Sequence, residues 1–135
     1  MKLIIYTDGA SRGNPGPASY GFTILDKSGK SLYEEGKYIG VTTNNVAEYT
    51  AVLQALKYIK KQYKGKVLEI EFYADSRLVV EQLSGRYKVK SKRLKPIVEQ
   101  IKILAIELGG ALYSHISRFK NFEADRLANL ALDSH

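Results

Sequence analysis

The sequence predicts an α/β fold of five strands and four helices in a single domain, residues 1–135. Three observations lead to this prediction. The short apolar run Leu3–Tyr6 is typical of a strand buried on both faces in the middle of a sheet. Two strand-like segments joined by a short turn follow it, and so short a connection only joins antiparallel neighbours, so the first three strands form a meander. The later strands alternate with stretches of helical period, which is typical of α/β proteins.

Composition bounds the kind of protein. The chain is 44% hydrophobic and 26% charged and has no apolar run long enough to span a membrane, so we expect a soluble, cytoplasmic protein. It contains no cysteine, which excludes disulfides and thiolate metal sites and leaves mainly oxygen ligands, the kind that magnesium and manganese prefer. The net charge of +7 favours a polyanionic partner.

The first strand leads to a carboxylate and then to a turn. Alternation places Ile4, Tyr6 and Asp8 on one side, so Asp8 is expected at the rim of the sheet among buried residues, a poor place for a lone charge. Residues 9–17 contain three glycines and two prolines. Such a stretch forms a tight turn whose backbone amides can approach a phosphate. Alternatively, Asp8 and Gly9 only mark a turn.

The next elements follow from spacing. Tyr20–Leu25 and Ser31–Ile39 are predicted strands of a hairpin. Apolar residues recur with helical period over residues 46–61. Asn45 is the predicted N-cap of this helix, and Glu48 either completes a capping box with it or leans toward the buried stripe.

Two further strands and three further helices complete the chain. Val67–Ala74 is the predicted fourth strand, followed at once by Asp75, which is a plausible N-cap of the second helix. The third helix spans 94–108 with Pro96 in its first turn, and the fifth strand spans 111–117. Asn121 is the predicted N-cap of the last helix, whose dipole favours an acid at Asp125.

Four carboxylates are predicted to converge. The first and fourth strands can lie parallel and adjacent, which brings Asp8 and Asp75 to the same carboxyl edge of the sheet, where α/β proteins bind ligands. Glu48 and Asp125 enter from early turns of helices that pack on the sheet. Because four acids without a basic partner repel each other, they require cations. Two magnesium ions held by such a cluster are suited to phosphodiester hydrolysis.

Two basic stretches could hold a polyanionic backbone. One is the group of lysines between residues 57 and 66, at the end of the first helix. The other, which we call the basic segment, is residues 84–95, with six cations and no acid. A run of like charges is more often simply a solvated surface, so neither stretch is by itself evidence of a binding site.

Four motifs in order resemble type 1 ribonuclease H and together span nearly the whole chain. They are Tyr6-Thr7-Asp8-Gly9 with Gly13-Asn14-Pro15-Gly16-Pro17, Thr42-Thr43-Asn44-Asn45-Val46-Ala47-Glu48, Ala74-Asp75-Ser76, and Asn121-Phe122-Glu123-Ala124-Asp125-Arg126-Leu127-Ala128-Asn129. The resemblance implies a five-stranded mixed sheet with helices on both faces. It also implies endonucleolytic cleavage of the RNA strand of RNA/DNA hybrids, leaving 5′-phosphate and 3′-hydroxyl ends.

The resemblance assigns roles by position. It implies two Mg²⁺ ions, with Mn²⁺ as the alternative, bound by Asp8, Glu48, Asp75 and Asp125. Contacts to 2′-hydroxyls can distinguish ribose from deoxyribose. The resemblance implies such contacts for the backbone of residues 9–14 and for Asn44 and Asn45, a contact to a DNA phosphate for Thr43, and further contacts to the hybrid for Ser76 and Arg77. The implied substrate-binding residues are therefore Gly9, Ser11, Arg12, Gly13, Asn14, Thr43, Asn44, Asn45, Ser76 and Arg77. Arg77 is the weaker match, since the family more often has glutamine there.

The chain departs from the family at two places. Many members carry a mobile histidine in a longer loop before the last catalytic aspartate, whereas this chain has the short form, in which we expect Arg118 to take that place. His115 is the rival candidate. In addition, the basic segment leaves little room for the family's protruding basic helix, and we expect no separate hybrid-binding domain, so binding is expected to be weaker and more sensitive to salt.

Two rival functions use the same residues. A DNA nuclease or resolvase of this fold would share the carboxylates, but Thr43-Asn44-Asn45 argues against it. A non-catalytic hybrid-binding module would not need four mutually repelling acids. We therefore expect a monomeric ribonuclease H acting on RNA/DNA hybrids, with double-stranded RNA as a second candidate substrate and no membrane partner.

Overall fold

The computed structural model describes residues 1–135 and contains one five-stranded mixed sheet. Its strand order is β3-β2-β1-β4-β5. β2 is antiparallel to both of its neighbours, β1 and β3, whereas β1, β4 and β5 are mutually parallel. The predicted fold class is confirmed. The strands are β1 (Lys2–Ser11), β2 (Gly16–Asp26), β3 (Ser31–Thr42), β4 (Glu69–Ala74) and β5 (Leu112–His115).

Helices cover both faces of this sheet. Side chains of α1 and α3 form the main hydrophobic core with one face, while α4 packs against the other. The helices are α1 (Asn44–Gln62), α2 (Arg77–Leu83), α3 (Lys95–Glu107) and α4 (Phe122–Asp133), the last preceded by a 3₁₀ turn at Arg118–Asn121. No helix is both long and apolar enough to cross a bilayer.

The two faces of β1 are buried to different extents. Leu3 and Ile5 are fully buried against α1, whereas Ile4 and Tyr6, which share the face of Asp8, are only half-buried. The expectation that Asp8 lies among buried residues is met at Asp8 itself, which is 8% exposed. Asp8 lies on the less buried of the two faces, the one covered by α4.

Two glycines allow α4 to approach this less buried face closely. Gly21 of β2 lies opposite Asp8, and Gly36 of β3 lies opposite Gly21, so the three residues form a row across the sheet. A Cβ atom on Gly21 would lie 2.5 Å from the carbonyl oxygen of Ala124, and one on Gly36 would lie 2.4 Å from that of Leu127. Backbone contact at this row sets the position of α4, and with it that of Asp125.

Several predicted boundaries and caps are wrong. β1 does not end at Asp8 but continues to Ser11, paired with β2 to its last residue. The N-cap of α1 is Thr43, whose hydroxyl accepts from the amide of Val46, so Asn45 is already inside the helix and forms no capping box with Glu48. The N-cap of α2 is Ser76 rather than Asp75. In both helices the capping hydroxyl belongs to a residue one or two positions from the predicted cap. Glu48 and Asp75 are therefore not used in capping, and both face the cleft.

Candidate active site

An open cleft of about 640 Å³ lies at the carboxyl end of β1 and β4. It brings together all four predicted carboxylates with most of the predicted substrate-binding residues. Thr43, Asn45 and Arg77 do not line it, although each adjoins a lining residue in sequence. The lining residues are Asp8, Gly9, Ala10, Ser11, Arg12, Gly13, Asn14, Asn44, Glu48, Asp75, Ser76, Arg118, Asp125, Asn129 and Leu132.

Sheet register places the two strand carboxylates. The parallel pairing of β1 and β4 ends at Thr7 opposite Ala74, so Asp8 and Asp75 both follow the last pair. Asp8 accepts a hydrogen bond from the amide of Gly9 at 2.9 Å. The sequence argument for one shared edge is therefore correct for this pair.

Glu48 reaches the cleft from the opposite face of the sheet. α1 lies so close to β1 that a Cβ atom on Gly9 would be 2.3 Å from the amide nitrogen of Glu48. Oε1 of Glu48 accepts a hydrogen bond from the side chain of Asn44 at 3.1 Å, whereas Oε2 is buried without a partner. A buried carboxylate oxygen without a donor is costly, and a bound cation would remove that cost.

Two asparagines orient the remaining carboxylates. Nδ2 of Asn129 donates to Oδ1 of Asp125 at 3.2 Å and to its carbonyl oxygen at 2.9 Å. Asn121, which is 1% exposed, donates to the carbonyl oxygen of Thr7 at 2.8 Å and lies 3.4 Å from Oδ2 of Asp75. Asn121 occupies the predicted N-cap position of α4, although its side chain forms no capping hydrogen bond. The sequence analysis missed the role of Asn129, although its spacing four residues after Asp125 was a usable signal.

The carboxylates are poorly stabilised as anions. Burial is the main cause that raises the pKa of Asp8, to about 8. The charge of Asp75, a hydrogen bond with Asp125 and the charge of Glu48 act in the same direction. Burial raises the pKa of Glu48 to about 7, with the hydroxyl of Ser76 acting in the opposite direction and the charge of Asp75 adding to the rise. None of the four acids takes part in an ion pair. Without a cation the site therefore favours the protonated forms of Asp8 and Glu48 near neutral pH, and no ion pair within the protein stabilises their ionised forms.

The raised pKa values predict how stability changes with pH. In the unfolded chain both carboxyls titrate near pH 4, so between about pH 4 and pH 8 the folded chain binds more protons than the unfolded chain. The free energy of unfolding without divalent metal should therefore fall as pH rises, by about 2 kcal/mol between pH 5 and pH 8. Urea unfolding in chelator across this range measures it. Asp8→Asn should flatten the slope, and an equal slope in both proteins would contradict the assignment.

The glycine-rich turn between β1 and β2 forms one wall of the cleft. Oδ1 of Asn14 accepts the amide hydrogen bond of Asn44 at 3.0 Å, which ties this turn to the start of α1. The guanidinium of Arg12 pairs with Asp133 at the end of α4, and both side chains are more than half exposed. Since exposed ion pairs are weak, Arg12 can exchange this partner for a phosphate.

The two basic stretches lie in different places. Lys57, Lys60, Lys61 and Lys64 line a separate groove against α3. Along α1 this groove is about 20 Å from Glu48, from the rise per residue between positions 48 and 61. The basic segment instead begins where α2 ends, and α2 starts at the cleft residue Ser76. It contains no helix before Lys95, as the sequence predicted.

The two candidates for the loop position separate clearly. Arg118 lines the cleft. His115 is at the end of β5, where its Nε2 lies 3.2 Å from the carbonyl oxygen of Asp75, and it does not line the cleft. The geometry thus favours Arg118 as the group that can reach a ligand.

The donor set fits hard divalent cations. All four carboxylates face one cleft and lack basic partners, and Glu48 keeps a buried, unpartnered oxygen. No three acidic or histidine side chains form a cluster that could hold an ion without other ligands. Magnesium is usually bound by one or two carboxylates with water and substrate phosphates completing its shell, so an open site of this kind suits it.

The sequence matches one protein family and is similar to several known proteins. A model of the family described as reverse transcriptase-like matches residues 6–131. The bifunctional protein Rv2228c of Mycobacterium tuberculosis is 42% identical over 135 residues, which cover 99% of this chain and 36% of that protein. Ribonuclease HI of Halobacterium salinarum is 38% identical over 132 residues, which cover 98% of this chain and 65% of that protein. The chain thus spans roughly one third to two thirds of the length of these relatives.

A solved structure covers both chains almost completely. The crystal structure of LC11-RNase H1 in complex with an RNA/DNA hybrid superposes with a TM-score of 0.93 at 45% sequence identity, covering 97% of this chain and 96% of that one. The fold described above is therefore shared with LC11-RNase H1 over almost the whole of both chains.

Proposed function

The chain belongs to the type 1 ribonuclease H family, and from this premise we propose that it is an endoribonuclease that hydrolyses the RNA strand of RNA/DNA hybrids. The observation that carries the proposal is the meeting of Asp8, Glu48, Asp75 and Asp125 on one open cleft without a basic partner. Such a cluster is unfavourable unless divalent cations and phosphate enter the cleft. A binding module would gain nothing from it.

Divalent metal use is general in this family, and we propose Mg²⁺, with Mn²⁺ as the alternative. Asp8, Glu48, Asp75 and Asp125 would hold two ions. When bound, these ions would activate a water and stabilise the leaving oxygen of the phosphodiester, giving 5′-phosphate and 3′-hydroxyl ends. The chain's own amides orient the ligands: Asn44 orients Glu48, and Asn129 orients Asp125.

The cleft wall supplies the groups that would distinguish RNA from DNA. Residues 9–14 and Asn44 line the open space beside the carboxylates. Such groups can hydrogen-bond ribose 2′-hydroxyls, which deoxyribose lacks. Thr43, Asn45, Ser76 and Arg77, at or beside the rim, are proposed to contact the hybrid outside the reacting phosphodiester.

Cleavage of matched substrates tests the proposal. End-labelled RNA/DNA hybrid, double-stranded RNA and double-stranded DNA of one sequence are each incubated with Mg²⁺ or with chelator. We expect cleavage of the hybrid's RNA strand in Mg²⁺ only, with ligatable 5′-phosphate ends. Tight hybrid binding without cleavage would support a binding module instead, and cleavage of DNA would contradict the ribonuclease assignment. The double-stranded RNA lane tests the second candidate substrate.

Arg118→Ala is expected to reduce kcat for the hybrid by about 10-fold to 100-fold, because a cation facing the cleft can stabilise charge that develops during cleavage. His115→Ala is the matched comparison and should stay within about twofold, since His115 does not line the cleft. Steady-state kinetics of both variants measure the difference. A larger loss in His115→Ala would reverse the assignment.

The cytoplasmic location, the monomeric state and the single-domain boundaries 1–135 stay predictions of the sequence. Size-exclusion chromatography with light scattering tests the second of them directly.

A further inference from the structure

A buried hydrogen-bonded pair connects α1 to the basic segment. Tyr49, the neighbour of Glu48 in α1, is fully buried, and its hydroxyl donates to Oε1 of Gln82. Gln82, which is 7% exposed, donates from Nε2 to the carbonyl oxygen of Lys88 at 3.1 Å. A polar side chain is buried at a cost unless it is fully hydrogen-bonded, so this arrangement is specific rather than incidental.

Apart from contacts at its two ends, the basic segment is attached to the core by one side chain, that of Val89, which is half-buried and packs against the core. At its start the amides of Arg86 and Tyr87 donate to the carbonyl oxygen of Glu81 at 2.9 and 3.1 Å. At its end the hydroxyl of Ser91 accepts from the amide of Leu94 at 3.3 Å. No strand or helix spans the residues between them. The hydrogen bond from Gln82 is the polar contact that fastens the middle of the segment to the core.

We propose that Gln82 is a positioning residue for substrate affinity, which holds the cations of the basic segment where a nucleic-acid backbone can meet them. This inference rests on the proposed function. Lys88, Lys90 and Lys92 are exposed on a stretch without regular secondary structure, whose main chain is held by this hydrogen bond beside the packing of Val89. Charges that are already in place lose less conformational entropy on binding than charges on a mobile loop. Through Tyr49, the same side chain ties the segment to the helix that carries Glu48.

The proposal predicts an effect on affinity without an effect on chemistry. Gln82→Met keeps the volume of the side chain but removes both hydrogen bonds. We expect KM for the hybrid, and Kd for a fluorescent hybrid in chelator, to rise about 5-fold, while kcat stays within about twofold. Trypsin should cut more readily after Lys88 and Lys90. Gln54→Met, the same change at a half-buried position of α1 outside the cleft and both basic stretches, is the matched control and should leave all four quantities unchanged.

Each outcome decides the question. A fall in kcat at constant KM would mean that Gln82 acts on the cleft and not on the basic segment, and faster trypsin cleavage with unchanged KM and Kd would mean that the position of the segment is unimportant. Either result overturns the inference. If Gln82→Met does not fold, Tyr49→Phe decides, since it removes only the hydroxyl that orients Gln82 and should raise KM in the same direction. A wild-type chain that cleaves no hybrid would instead refute the proposed function itself.

Discussion

Replacing Asp8 by asparagine is expected to lower the rate of hybrid cleavage by about 10³-fold or more. Asp8 is the most buried of the four carboxylates, and it interacts with both Asp75 and Asp125. Asparagine keeps the shape of the side chain but removes the negative charge that a divalent cation requires. Single-turnover cleavage of a labelled hybrid with enzyme in excess measures the chemical step directly.

A second measurement on the same variant excludes misfolding. In chelator at a pH above about 8, where Asp8 is ionised, Asp8→Asn should bind the hybrid at least as tightly as the wild type, because one repulsive charge is removed from the cleft. Asp26→Asn, at an exposed aspartate of the β2–β3 turn, controls for loss of an acid elsewhere and should cleave at the wild-type rate. Full activity in Asp8→Asn would remove Asp8 from the proposed catalytic set.

Adding one methyl group at Gly9 is expected to have the second large effect. A Cβ atom there would lie 2.3 Å from the amide nitrogen of Glu48 and 2.4 Å from the carbonyl carbon of Ala47, and both atoms belong to the backbone of α1. Because a helix backbone cannot move aside as a side chain can, Gly9→Ala must shift β1 or α1. We expect a loss of about 3 kcal/mol in the free energy of unfolding and about 10²-fold in cleavage rate through displacement of Glu48.

Urea unfolding and cleavage assays well below the unfolding midpoint measure the two effects separately. Gly29→Ala is the control: it lies in an exposed turn at φ +90° with nothing near its Cβ position, so it should cost some stability through backbone strain and leave activity intact. Wild-type stability in Gly9→Ala would mean that α1 and β1 are not in backbone contact at this point.

Local patterns in the sequence predicted most of the fold. An apolar run, a hairpin turn and helical spacing are encoded by neighbouring residues, so the five strands, the four helices and their order were predicted correctly. The carboxyl-edge argument also placed Asp8 beside Asp75, because parallel strands bring their ends together whatever their length. Caps were harder to predict, since several polar residues compete within two positions. Thr43 and Ser76, rather than Asn45 and Asp75, form the capping hydrogen bonds.

Composition and motifs were enough to define the available chemistry of this protein: which acids are present, that no thiolate can replace them, and that the chain is positively charged overall. How these groups meet depends on folding. The row Asp8–Gly21–Gly36 sets where α4 lies and so where Asp125 points. Asn121 and Gln82 form hydrogen bonds with residues distant in sequence, and the lysines of α1 line a groove against α3 rather than the cleft. The physical reason is that the spacing of residues along a chain records local periodicity, whereas close backbone approach and buried hydrogen bonds depend on segments brought together only by folding.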